Sequence, residues 1–158
     1  MATEHRARMD ATGRRVAVVV SRFNDFVTRR LAEGAVESLR AHGVEEGGID
    51  VYWVPGAFEL PQMAAQVARE RRADGIVCLG ALIRGETAHF DVLAAAVCAA
   101  LERLGTEGTM PVAFGVITAD TMEQAIDRAG GKHGHAGRQA AQSLVEMMDL
   151  WRRSEEGS

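Results

Sequence analysis

The chain has 158 residues, 47% of them hydrophobic and 25% charged, the composition of one soluble domain long enough to bury an unstapled core. A net charge of −4 excludes a general basic surface for nucleic-acid phosphates. The longest strictly apolar run, residues 92–101, falls short of the ~18 residues a membrane span needs.

Residues 1–14 are polar, of mixed charge and without period, and read as a tail ordered only where something catches it. They hold no apolar stretch of the kind a secretory signal carries. Residues 16–20, VAVVV, suit a strand buried on both faces. Helical spacing runs from Phe26 to His42, and Gly43 stops it. A second strand, 49–54, ends at Pro55-Gly56, and a helix over 60–71 carries Pro61 in its first turn. A third strand, 75–79, leads into a loop beginning at Gly80, followed by an alanine-rich helix over 89–104. A fourth strand over 111–117 precedes a short helix over 121–128, capped by Asp120 or Thr121. After Gly130-Gly131, a last helix covers 136–153. The expected molecule is one α/β domain over 15–153, with tails at 1–14 and 154–158. The strict alternation predicts a parallel four-stranded sheet in a three-layer α/β/α sandwich.

Ligands of such sheets bind beyond the carboxyl ends of the strands. Four segments matter there: 21–24, 55–59, 80–89 and 118–121. The third, GALIRGETAHFD, spaces Gly80, Gly85 and Thr87 like a phosphate loop, but Glu86 stands where a nucleotide site needs lysine. Its backbone amides and the following helix N-terminus still suit a small phosphate. His89 sits at the mouth of that helix, where a proton donor or acceptor is useful, although a lone histidine is often structural. Arg84 either pairs with an acid or faces solvent. Glu59 suits a helix dipole or a polyhydroxy ligand, and Phe58 reads as packing. Phe23 is either a stacking platform for a flat ring or a core plug.

Lys132 is the single lysine, in a glycine-rich stretch, which disfavours an enzyme-bound Schiff base. His133 and His135 lack a third ligand nearby, so a metal site is not expected. Cys78 and Cys98, in apolar stretches without C-x-x-C spacing, read as buried free thiols of a reducing, cytoplasmic compartment.

Five collinear motifs, SRFN (21–24), VPGAFELP (54–61), GALIRGETAHFD (80–91), PVAFGVITADTMEQAIDRAG (111–130) and a K-x-G segment at Lys132, resemble the lumazine synthases of riboflavin biosynthesis. The resemblance spans about residues 16–151 and implies a flavodoxin-like fold. It implies condensation of 5-amino-6-(D-ribitylamino)uracil with 3,4-dihydroxy-2-butanone 4-phosphate, without metal or organic cofactor. Residue by residue, it assigns Phe23 to ring stacking and Ala57, Phe58 and Glu59 to the ribityl-bearing substrate. Ala81, Leu82 and Ile83 hold the ring edge. Glu86 and Thr87 bind the phosphate ketone, and His89 transfers protons. Phe114 and Arg128 come from a neighbouring subunit, with Arg128 on the phosphate. The resemblance also implies pentamers. The short turn over 130–137 favours a 60-subunit shell, with riboflavin synthase as a possible guest. One departure is plain: where the family often reads K-x-G-N-K-G, this chain has His135 and Ala136. Arg138 is the nearby residue that can compensate for the missing lysine. The alternative readings are a non-catalytic flavin- or lumazine-binding protein and a shell-forming protein on the same scaffold.

Overall fold

The computed structural model describes residues 1–85 and 89–157. Four parallel strands, β1 (Val16–Ser21), β2 (Ile49–Val54), β3 (Gly75–Ile83) and β4 (Val112–Ala119), form one sheet in the order β2-β1-β3-β4. The helices are α1 (Asp25–Ala41), α2 (Leu60–Glu70), α3 (Phe90–Glu107), α4 (Met122–Asp127) and α5 (Ala136–Glu156). They make the expected three-layer sandwich.

The alternation of side chains across the sheet explains the continuous apolar runs. Val16, Val18 and Val20 join Val77, Leu79 and Ile117 in one core, closed by Leu31 and Leu39 of α1 and Leu144 and Val145 of α5. Ala17, Val19, Ile76, Cys78 and Val116 face the other way, under Leu60 and Val67 of α2 and Val97 and Leu101 of α3. Helices cover both faces, so neither set of strand side chains has to be polar.

Three features depart from the pattern expected of the sequence. β3 runs on to Ile83, through the glycine that suggested a loop, because β4 pairs with it as far as Ile83↔Ala119. A two-stranded hairpin, β5 (Ala129–Gly131) and β6 (Gly134–His135), occupies the glycine-rich stretch before α5. Cys98 is exposed on α3, whereas Cys78 is buried as expected. α3 buries only Phe90, Val97 and Leu101, so an alanine-rich helix leaves its thiol outside the core. The N-terminal segment is caught at two points: the Arg8 amide donates to Asp149 Oδ2 at 2.8 Å, and the Ala11 amide to the His42 carbonyl at 2.7 Å.

Candidate active site

The longer β3 has a chemical consequence. Its pairing with β1 stops at Leu79, opposite Val20, while its pairing with β4 continues. Beyond Leu79, the β1 side of β3 is therefore open to other partners. One is already in place: Asn24 Nδ2 donates to the Ala81 carbonyl at 2.9 Å. Asn24 adopts the left-handed conformation, φ 62°, which asparagine tolerates better than most residues. That turn starts α1 directly after β1 and raises Phe23 outward.

A cleft of about 250 Å³ lies at these strand ends. Phe23 and Asn24 follow β1, Gly56, Ala57, Phe58 and Glu59 follow β2, and Leu82 and Ile83 close β3, with Leu93 of α3 completing the wall. Phe23 is 57% exposed, which settles its two readings against a core plug. Phe58 is 62% exposed, so its expected packing role is corrected: the 3₁₀ turn Ala57–Glu59 buries Ala57 and turns Phe58 out. Glu59 precedes α2 without capping it through its side chain. A Cβ at Gly56 would stand 3.8 Å from Glu59 Oε1, in ordinary contact with the carboxylate. Beneath the cleft, a Cβ on Gly80 would come within 3.3 Å of Leu60 Cδ1, so glycine lets α2 seat closely there.

His89 is the N-cap residue of α3 and is exposed. Its carbonyl accepts from the amide of Leu93, the cleft-lining residue one turn on. Arg84 resolves toward pairing: Nε donates to Asp120 Oδ1 at 2.9 Å and a terminal nitrogen to Asp91 Oδ2 at 3.2 Å. Its guanidinium also lies 4.7 Å from the Phe90 ring centroid. This one side chain ties together the ends of β3 and β4 and the start of α3. Glu86 and Thr87, the expected phosphate ligands, lie outside the described residues.

Phe114 and Arg128 are not at this cleft. Both line a separate hollow of about 430 Å³ between β4 and α5, with Gln139, Ser143 and Met147. Arg128 ends α4, and a terminal nitrogen of its guanidinium donates to the Thr118 carbonyl at 3.0 Å. Thr121, rather than Asp120, caps α4. Its Oγ accepts from the Gln124 amide, and the Gln124 side chain accepts from the Thr121 amide.

The remaining polar candidates have structural partners. His133 lies 3.8 Å from Asp127, and His135 accepts from the Arg138 amide at the start of α5. Among the described residues, no group of three or more histidines, cysteines or carboxylates could hold a metal ion. Arg138 is engaged by Glu37 of α1. Burial pushes the Cys78 thiol up to about 12, which leaves it no nucleophilic role at neutral pH. No helix among the described residues is long and apolar enough to cross a membrane.

Residues 13–152 match the family described as 6,7-dimethyl-8-ribityllumazine synthase. The 6,7-dimethyl-8-ribityllumazine synthase of Pediococcus pentosaceus is 43% identical over 148 residues, which cover 94% of this chain and 95% of that protein. With the fold in agreement, the chain belongs to the 6,7-dimethyl-8-ribityllumazine synthase family, transferases of riboflavin biosynthesis.

Proposed function

We propose that the chain condenses 5-amino-6-(D-ribitylamino)uracil with 3,4-dihydroxy-2-butanone 4-phosphate, and that the strand-end cleft holds the first of them. The products are 6,7-dimethyl-8-ribityllumazine, phosphate and water. The observation that carries the reading is the convergence of Phe23, Ala57, Phe58, Glu59, Leu82 and Ile83, from three separate strand ends, on one cleft. Phe23 offers an exposed face to the pyrimidinedione ring. Glu59 accepts hydrogen bonds from ribityl hydroxyls. The backbone of Ala81, Leu82 and Ile83 meets the ring edge, and Glu86 and Thr87 take the phosphate ketone.

The substrate amine attacks the ketone carbonyl, and water leaves as the imine forms between the two substrates. No enzyme amine takes part, in keeping with a chain whose single lysine is Lys132. Phosphate is then eliminated, the enol tautomerises to a ketone, and attack of the ribitylamino nitrogen on that carbonyl closes the ring with loss of a second water. Alignment of two bound reactants can supply ~7–11 kcal/mol of the barrier. His89, at the start of α3, carries protons between the steps.

The same reading makes the working unit an oligomer, with small-molecule substrates and a cytoplasmic location. Val51 and Trp53 are exposed on β2, and Phe114 and Met147 beside β4. These lie at opposite edges of the sheet. Two different apolar faces suit a head-to-tail contact, which closes into a ring. In a pentamer of this kind, Phe114 and Arg128 complete the neighbour's cleft, Arg128 on the phosphate. The hairpin β5–β6 makes a short turn before α5, which favours a 60-subunit shell. The decisive assay mixes the two substrates with the protein and follows lumazine fluorescence. Product formation without added metal or nucleotide supports the proposal. Substrate binding without turnover would favour a non-catalytic lumazine-binding protein.

A further inference from the structure

His135, one of the two residues that depart from the K-x-G-N-K-G pattern, has a built environment. Its ring is wedged between α1 and the first turn of α5, against Gly34 and Gly137. A Cβ at Gly34 would run into the ring, so glycine leaves the imidazole its room on α1, whereas at Gly137 it is the Leu31 carbonyl that leaves no room for a side chain. Nδ1 accepts from the Arg138 amide at 3.2 Å, which caps the start of α5. A neutral imidazole with its proton on Nε2 leaves Nδ1 able to accept that amide.

The backbone on either side leads straight to Arg128. His135 is the strand partner of Ala129, and the Ala136 amide donates to the Arg128 carbonyl at 2.7 Å. We infer that His135 is a positioning residue for Arg128, its neutral ring locking the turn between α4 and α5 so that the guanidinium is held ready for the phosphate ketone. This rests on the reading of Arg128 as the phosphate clamp. An asparagine at the same place would cap α5 but would be too short to fill the space beside Gly34 on α1.

The lock depends on protonation. The charged groups that act on the ring are Glu37 from α1 and Arg138 from α5, and β5 brings none. Burial first, and the Arg138 charge second, lower the pKa of His135 below its ordinary 6.5. The neutral form is therefore the one the fold favours. Its contribution is complete above the ordinary histidine range and is lost as pH falls through the lower folded value. Protonation of Nδ1 removes the acceptor of the Arg138 amide and sets a cation beside the Arg138 guanidinium.

The test is steady-state kinetics of the assembled protein with both substrates, for the parent, His135→Phe, His135→Asn and Arg128→Ala. His135→Phe keeps a ring but removes donor and acceptor. It should raise KM for 3,4-dihydroxy-2-butanone 4-phosphate about five- to tenfold, with kcat and the other KM within about twofold, as the loss of a cap predicts. His135→Asn should recover most of that loss. The parent should also show a rise of this KM in acid that His135→Asn lacks, a readout that remains if the Phe variant fails to assemble. A parental KM in His135→Phe, or equal acid limbs in parent and His135→Asn, would overturn the inference. If Arg128→Ala left this KM unchanged, the clamp itself would fall and the inference with it. A raised KM in Arg128→Ala beside an unchanged one in His135→Phe would overturn the inference alone.

Discussion

A proton carrier and a charge clamp fail differently when they are removed. His89 caps α3 one turn before Leu93 and is not among the residues that line the cleft. His89→Ala should therefore lower kcat by about 10²-fold, the lower range for a lost acid–base group, with both KM values nearly unchanged. Arg128→Ala should raise KM for the phosphate substrate by about tenfold or more and leave the pyrimidine KM alone. Initial rates with each substrate varied in turn separate the two. Cys78 should stay unlabelled by a maleimide until the protein unfolds, since burial holds its thiol near 12, and peptide mapping reads this directly. Much of the candidate site was legible because its residues are contiguous with strand ends: Phe23, Glu59 and His89 each follow a strand by a few positions. His135 was not legible as a cap. Its cage is made by Gly34, about a hundred residues earlier, and spacing carries no trace of that contact.

At the scale of elements, the shortest helix has the clearest sequence signal. Thr121 and Gln124 form a capping box on α4, only six residues long, with Arg128 at its end. Thr121→Ala should cost about 1 kcal/mol, seen as a lower thermal midpoint. The N-terminal segment hangs on Asp149, which is buried and accepts from the Arg8 amide, with Arg152 and Arg153 beside it. The Arg8 bond, foremost, holds the Asp149 carboxyl below its ordinary 3.8. A depressed carboxyl stabilises the fold above its ordinary pKa, and that contribution is lost as pH falls through the folded value. The melting difference between parent and Asp149→Asn should therefore be constant at neutral pH and shrink in acid. Strand and helix order was readable from periodicity alone. The extension of β3 to Ile83 was not, because a glycine followed by Ala-Leu-Ile fits a loop or a strand equally well, and only pairing with β4 decides.

At the scale of the molecule, the two halves of the proposed site lie in separate hollows of a single chain. Phe23, Glu59 and Leu82 line one cleft, and Phe114 and Arg128 line another hollow beyond β4. The central claim is that neighbouring subunits bring them together. Sedimentation velocity sets the frame: a species near the mass of five chains rules out the shell, and an active monomer would refute shared sites altogether. The most direct test co-expresses His89→Ala and Arg128→Ala subunits and assays the mixed assembly at low phosphate-ketone concentration. Each variant alone spoils every site. If each site takes His89 from one chain and Arg128 from its neighbour, random mixing leaves about a quarter of the sites intact. Activity near a quarter of the parent's is the predicted result, and activity no higher than the mean of the two variants would contradict it.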